Sequence, residues 1–138
     1  VLRDKDIPDD IGVGVEYGIP QTAKSIDIIL SGLSVDDNPR AIIVELKQWS
    51  TSHISEKDGI IIANRGGGSD REGAHPSYQA WSYAALLAGF NEAVHESSTE
   101  LRPCAYLHNY RDDGIIRNAH YAAYLENAEG FEVEVVAS

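Results

Sequence analysis

The run Ala41-Ile42-Ile43-Val44, followed without a break by Glu45-Leu46-Lys47, constrains this chain more than any other feature. Consecutive apolar residues rich in β-branched side chains predict a strand buried on both faces, and so a central place in a sheet. The strand is expected to run from Ala41 to Trp49. Two-residue spacing then sets Glu45 and Lys47 on one face near its end. Ionised groups in such a setting are costly unless they are paired or bind a cation.

Two strands are expected before it. Gly12 to Ile19 alternates loosely and stops at Pro20, and Ser25 to Ser31 is rich in Ile. Gln21 to Lys24 is a predicted turn. Gly32 to Arg40, which holds Asp36, Asp37, Asn38 and Pro39, has hairpin-loop chemistry. Short connections predict an antiparallel meander. Residues 50–74 are mixed, with one short extra strand possible at Gly59 to Ala63 and a mobile loop at Arg65-Gly66-Gly67-Gly68-Ser69-Asp70. Pro76, near a first helical position, predicts a helix from His75 to about Val94. Its apolar residues (Tyr78, Trp81, Ala84, Ala85, Leu86, Leu87, Phe90) lie nearly all round, so it should be largely buried. A fourth strand over Arg102 to His108, a second helix over Asn118 to Asn127 and a last strand over Phe131 to Val136 complete an α/β chain. Its sheet is mixed: a three-strand meander, a helix, then a strand, flanked by helices.

The 138 residues, 43% of them apolar, suit a single domain spanning 1–138. No apolar run reaches the roughly 20 residues of a membrane helix, so no membrane partner is expected. The chain contains no Met, and so no initiator; it is read as a piece of a longer protein. Its one cysteine, Cys104, is expected to be a buried structural thiol, and the lack of a disulfide framework suits a reducing, cytoplasmic setting. The balance of 11 basic against 22 acidic residues, a net charge of −11, argues against a broad phosphate-binding surface.

Asp27 lies inside the second strand, in Ile26-Asp27-Ile28-Ile29-Leu30, beside the strand that carries Glu45 and Lys47. Three ionised residues on two neighbouring apolar strands suggest one shared site. A Glu-x-Lys alone fits an ordinary surface pair equally well. Asp27 and Glu45 offer hard oxygens suited to Mg²⁺ or Mn²⁺, with the Leu46 carbonyl as a further ligand. Such a centre suits phosphodiester hydrolysis, with Lys47 orienting water or stabilising developing charge.

The strand pair Ser25-Ile26-Asp27-Ile28 and Val44-Glu45-Leu46-Lys47 resembles the D…(D/E)-x-K signature of the PD-(D/E)XK nuclease superfamily. Gln79-Ala80-Trp81-Ser82-Tyr83, on the following helix, resembles the Q-x-x-x-Y motif of its RecB-like branch. Gln79 and Tyr83 are four apart and share a helical face. The resemblance implies a restriction-endonuclease-like core, and catalytic roles for Asp27, Glu45, Lys47, Gln79 and Tyr83. It extends over nearly the whole chain. Asp6-Ile7-Pro8-Asp9-Asp10, Ile42 to Trp49, His75 to Tyr83 and Pro103-Cys104-Ala105-Tyr106-Leu107-His108-Asn109-Tyr110 are similar to a bacterial family in which such a region precedes a helicase-like P-loop ATPase domain. That implies a nuclease module acting on nucleic acid, DNA first and RNA second, beside an NTP-driven motor. It also implies a helical N-terminal portion absent from this chain. A catalytically silent nuclease-fold module that binds nucleic acid or a partner protein is the alternative.

The sequence departs from the pattern at two points. Ile26 replaces the usual Pro before the first Asp. The acid often supplied by a preceding helix has no counterpart; Glu16 is a substitute metal ligand or simply a solvent-facing strand residue. His53, His75, His95, His108 and His120 lack metal-ligand spacing, and Gly66-Gly67-Gly68 is not followed by the Lys-Ser/Thr of a phosphate-binding loop. His75 is either a helix cap or a phosphate contact. Lys24 and Arg65 are secondary candidates for contact with a nucleic-acid backbone.

Overall fold

The computed structural model describes residues 10–19, 21–90, 96, 98–126 and 134–137, with the backbone alone at 90 and 134–137. Among them a five-stranded mixed sheet runs in the order β1-β2-β3-β7-β8, built from Gly12–Gly18, Ser25–Leu33, Pro39–Gln48, Glu100–His108 and Glu134–Ala137. Between β3 and β7 the chain forms a separate three-stranded sheet, β4 (Thr51–Ile54), β5 (Ile60–Asn64) and β6 (Arg71–Ala74), and then helix α1 (Pro76–Phe90). After β7 come a single 3₁₀ turn (Ala119–Tyr121) and a short helix α2 (Ala122–Leu125).

The meander forms as its short connections dictate. β1 and β2 pair antiparallel, as do β2 and β3, whose register runs from Leu33↔Pro39 to Ile28↔Val44. The turn between them is tighter than its composition suggested. Both strands extend into the predicted loop, and only Ser34 to Asn38 turns, closed by the bond from Ser34 N–H to the Asn38 carbonyl at 2.9 Å. β3 then pairs with β7 in parallel, from Arg40↔Glu100 to Gln48↔His108. Pro103 has no N–H to give a ladder, and it precedes the first β7–β8 pair, Cys104↔Glu134.

β3 is central, as its apolar run predicted, but its two faces are not equally covered. Ala41, Ile43 and Glu45 are buried, whereas Ile42 and Leu46 are 37% and 42% exposed. The difference follows from what packs where. Ala84 and Leu87 of α1 close on Ile26, Ala41, Ile43 and Leu101. Farther along the same face Ile61 and Ala63 of β5 close on Ala105, Leu107 and Trp49. No helix of the described residues covers the other face, so Cys104 there is half-buried rather than buried. Fully burying each such Ile or Leu contributes about 1.5–3 kcal/mol. Helix α1 is likewise one-sided: Ala80, Ala84 and Leu87 are buried while Tyr78 is 37% exposed, because only one flank meets the sheet.

The expected strand at Gly59 to Ala63 exists as β5, shifted by one residue; its partners β4 and β6 were not expected from the sequence. The 3₁₀ turn and α2 occupy the place of the predicted second helix. Asn118 caps it, its side chain accepting from His120 N–H at 3.0 Å. The far ends of the predicted helices, Asn91 to Val94 and Asn127, and Phe131 to Val133 of the last strand lie outside the described residues. No helix among the described residues is long and apolar enough to cross a membrane.

His75 fixes where α1 begins. Its carbonyl accepts from Gln79 N–H at 3.0 Å, and its Nδ1 accepts from Ser77 N–H at 3.2 Å, so the imidazole caps the helix. With Nδ1 an acceptor, Nε2 carries the hydrogen and donates to the Ile116 carbonyl at 2.9 Å. The ring is wholly buried against Tyr121. Such burial lowers its pKa from 6.5 to about 4 against the opposing pull of the Ile116 carbonyl. A phosphate therefore cannot reach it.

A folded-state pKa below the unfolded value makes acid destabilising. The contribution of neutral His75 is complete above pH 6.5 and is lost as pH falls through about 4. The loss should approach about 3 kcal/mol. Urea unfolding of the wild type and of His75→Asn, which retains a capping oxygen, should therefore diverge between these pH values. Parallel pH profiles would show that His75 stays neutral for no energetic reason.

Candidate functional site

The open end of the β2–β3 pair gathers the ionised residues. The registered ladder stops at Ile28↔Val44, one residue short of Asp27 and Glu45. The Asp27 side chain lies within hydrogen-bonding and charge reach of Glu45. Here the Asp27 carboxylate replaces a main-chain acceptor: its Oδ2 takes the Leu46 N–H at 2.8 Å. That bond fixes the Asp27 carboxylate beside Glu45.

Glu45 lies at the centre of the group and is 3% exposed. Its Oε1 accepts from Lys47 Nζ at 2.8 Å and from Gln79 Nε2 at 2.7 Å. Gln79 Nε2 also donates to the Tyr83 hydroxyl at 3.0 Å, which uses both of its hydrogens. The four-residue spacing of Gln79 and Tyr83 on α1 makes that reach possible. Lys24, in the turn before β2, extends over the Tyr83 ring, with Nζ 5.9 Å from the centroid. Asp27, Glu45, Lys47, Gln79 and Tyr83, drawn from two strands and a helix, thus form one continuous constellation.

The charge of Glu45 is poorly compensated. Burial raises its pKa above the ordinary carboxylate value. Lys47 opposes this by hydrogen bond and by charge, and Asp27 raises it again. Among the described residues, three buried side-chain polar atoms lack a hydrogen-bond partner, Glu45 Oε2, Ser77 Oγ and Trp81 Nε1, and of these only the first belongs to an ionisable group. A buried acceptor without a donor is costly. Glu45 therefore presents one oxygen satisfied by two donors and one oxygen satisfied by none.

Glu16 is exposed and has a φ of 50° where the register interrupts between Val15↔Ile28 and Tyr17↔Ile26, the two pairs that flank Asp27. Among the described residues no three His, Cys, Asp or Glu side chains form a group able to hold a metal ion. Any cation at this site would draw on two carboxylates and complete its shell from the main chain near Leu46 or from water. The sequence singled out the Leu46 carbonyl; the role of its N–H in holding Asp27 had no sequence signal, because main-chain groups leave none.

Comparison of the chain with protein-family models, with curated proteins and with solved structures returned no match. What the site can do therefore rests on its own chemistry: a carboxylate pair beside an ammonium, half-open at the end of a sheet.

The electrostatics are testable residue by residue. A raised folded-state pKa means that Glu45 favours folding fully below the usual carboxylate range, and that this contribution is lost as pH rises through its own pKa. Lys47→Met should raise the Glu45 pKa further, and Asp27→Asn should lower it. Carbon-detected NMR titration of the glutamate carboxyls would read both shifts. Unchanged titration in both variants would mean that neither neighbour is electrostatically coupled to Glu45.

Proposed function

We propose that this chain is a metal-dependent nuclease module of the PD-(D/E)XK type that hydrolyses phosphodiester bonds in DNA. We further propose that it serves as part of a larger protein with a helicase-like P-loop ATPase domain. The observation that carries the reading is the convergence of Asp27, Glu45 and Lys47, with Gln79 and Tyr83 joined to Glu45 from the helix. The order strand, strand, helix, strand and the parallel β3–β7 pair support a restriction-endonuclease-like core.

The residues present fit a hard divalent cation. Glu45 Oε2 is a buried acceptor lacking a donor, and the Asp27 carboxylate stands beside it. Bound there, Mg²⁺ or Mn²⁺ would supply Lewis-acid polarisation of the scissile phosphate and lower the pKa of an attacking water.

The chain's own residues do the positioning. The Leu46 amide holds Asp27 in place. Gln79 and Lys47 clamp one oxygen of Glu45 and so aim the other into the site. Lys47 is 18% exposed at its side chain, so its ammonium can reach a phosphate oxygen while still facing Glu45. There it stabilises the charge that grows on the phosphorane-like transition state. Tyr83 keeps Gln79 from rotating away. A second reading, the catalytically silent module that binds nucleic acid or a partner protein, draws support from the net charge of −11.

One assay separates the two readings. Plasmid DNA and an RNA transcript incubated with Mg²⁺ or Mn²⁺ should show the DNA cut and the cutting abolished by chelator. Asp27→Ala, Glu45→Ala and Lys47→Ala should each reduce the rate by at least about 10²-fold, while the far-ultraviolet spectrum stays that of the wild type. Metal should also raise the melting temperature of the wild type but not of Glu45→Ala. Wild type that neither cuts nor gains stability with metal is the outcome the silent module predicts.

A further inference from the structure

The hairpin β5–β6 carries a charge arrangement that the site described above does not use. Its tip, Arg65-Gly66-Gly67-Gly68-Ser69-Asp70-Arg71, holds two arginines and one acid, and Glu72 follows. Both acids are engaged. Asp70 accepts from Asn64 Nδ2 at 3.1 Å and faces His53 at 3.7 Å, and Glu72 accepts from Lys57 Nζ at 2.6 Å. Arg65 and Arg71 are exposed, and neither has a carboxylate partner among the described residues. Arg40, Arg102 and Arg117, by contrast, are each paired with Glu100 or Asp112.

The two faces of the hairpin separate these charges. Arg71 stands opposite Ala63, and Gly73 opposite Ile61, and both Ala63 and Ile61 are buried against the main sheet. The Arg65 guanidinium lies over Gly73, 3.6 Å from where a Cβ would stand. Both cations therefore belong to the side of the hairpin that faces the main sheet. Glu72 pairs with Ile62 on the opposite side, and so does His53. The tip is also tied to the end of β3: Ser50 N–H donates to the Asn64 carbonyl at 2.9 Å. Ser50 is three residues beyond Lys47, and Arg65 follows Asn64 directly.

Asn64 further gives the glycine tip a fixed shape. It accepts from Gly66 N–H at 3.0 Å and donates to the Gly68 carbonyl at 2.8 Å. Gly66 and Gly67 have φ of 85° and 86°, which side chains would oppose. Without side chains, the tip presents bare backbone flanked by two guanidiniums, the groups best suited to phosphate. With Asn64 bonded to Ser50, three residues beyond Lys47, that pattern fits a polyanion that also reaches the end of β3.

We infer that the β5–β6 hairpin is a substrate-gripping arm, with Arg65 and Arg71 binding backbone phosphates of a DNA duplex next to the one that is cut. The inference rests on the nuclease reading above. It assigns the arm to binding and register, with no part in the chemical step.

The test is binding of a short fluorescent DNA duplex by anisotropy over a series of salt concentrations, with Ca²⁺ in place of Mg²⁺. Arg65→Gln/Arg71→Gln should weaken binding and reduce the slope of log Kd against log salt by about 2, since each phosphate contact contributes about 0.9. In Mg²⁺ the same variant should raise KM and leave kcat near wild type. Arg65→Lys/Arg71→Lys should keep the salt slope, and Arg40→Gln, at the far end of β3, should match wild type throughout. A double Gln variant that melts like wild type and keeps the wild-type slope and KM overturns the arm while leaving the nuclease intact. Wild type that neither binds nor cuts the duplex overturns both.

Discussion

A parallel pair of strands cannot be joined by a tight turn, and the β3–β7 ladder, Arg40↔Glu100 to Gln48↔His108, is parallel along its whole length. The chain must therefore leave the end of β3, cross back over one face and re-enter beside its start. The helical part of the candidate site, Gln79 and Tyr83, lies on that crossover. The small sheet departs where β3 ends, and α1 makes the return journey across Ala41, Ile43 and Leu101. A helix laid there necessarily brings its first turns over the last residues of β3. That is why Gln79, one turn from the helix start, reaches Glu45, and why a polar contact near the end of a buried strand can be satisfied at all.

The same geometry decides which parts could be read from the sequence. β2 and β3 announced themselves because several β-branched residues in a row can be satisfied only inside a sheet. The antiparallel meander followed from connections too short for anything else. β4 and β6 gave no such signal. Thr51-Ser52-His53-Ile54 and Arg71-Glu72-Gly73-Ala74 are polar, short and weak in β propensity. They are strands because Ile60 to Ala63 between them supplies the apolar face for all three. The half-open face of β3 was hidden for a related reason. A run such as Ala41-Ile42-Ile43-Val44 reports apolar side chains on both faces, but only the packing of α1 and β5 on one of them shows which is covered.

At the site, the residues were legible and their division of labour was not. Isolated charges in apolar strands stand out, so Asp27, Glu45 and Lys47 could be named from spacing. Nothing in the spacing said that the two oxygens of Glu45 would be treated so differently. One takes hydrogen bonds from Lys47 and Gln79, and the other has none. A structural ion pair would be selected to satisfy both, because the unsatisfied one costs stability and returns nothing. Retaining a buried, uncompensated carboxylate oxygen next to a second carboxylate is the arrangement expected of a place where something positive binds. On the reading proposed above, stability lost in the unbound domain would be the counterpart of affinity for that cation.

The net charge of −11 weighs less against a polyanionic substrate than its size suggests, because screening makes electrostatics local. At physiological ionic strength the potential of an exposed charge decays over about 8 Å. Asp36 and Asp37 sit in the turn between β2 and β3, at the opposite end of the hairpin from Asp27 and Glu45. Six residues of extended strand, 28–33 on β2 and 39–44 on β3, separate them, about 20 Å at the usual rise. A phosphate at the carboxylate pair would sense that turn hardly at all. Glu100, beside the start of β3, is already neutralised by Arg40 and Arg102. What such a phosphate would sense is Lys47 in the site and Lys24 over the ring of Tyr83. The two site carboxylates are themselves a local source of repulsion, and a divalent cation bound between them would reverse its sign. On the nuclease reading proposed above, affinity for a polyanion would be conditional on metal, and the acidic remainder of the surface would discourage association wherever the metal is not.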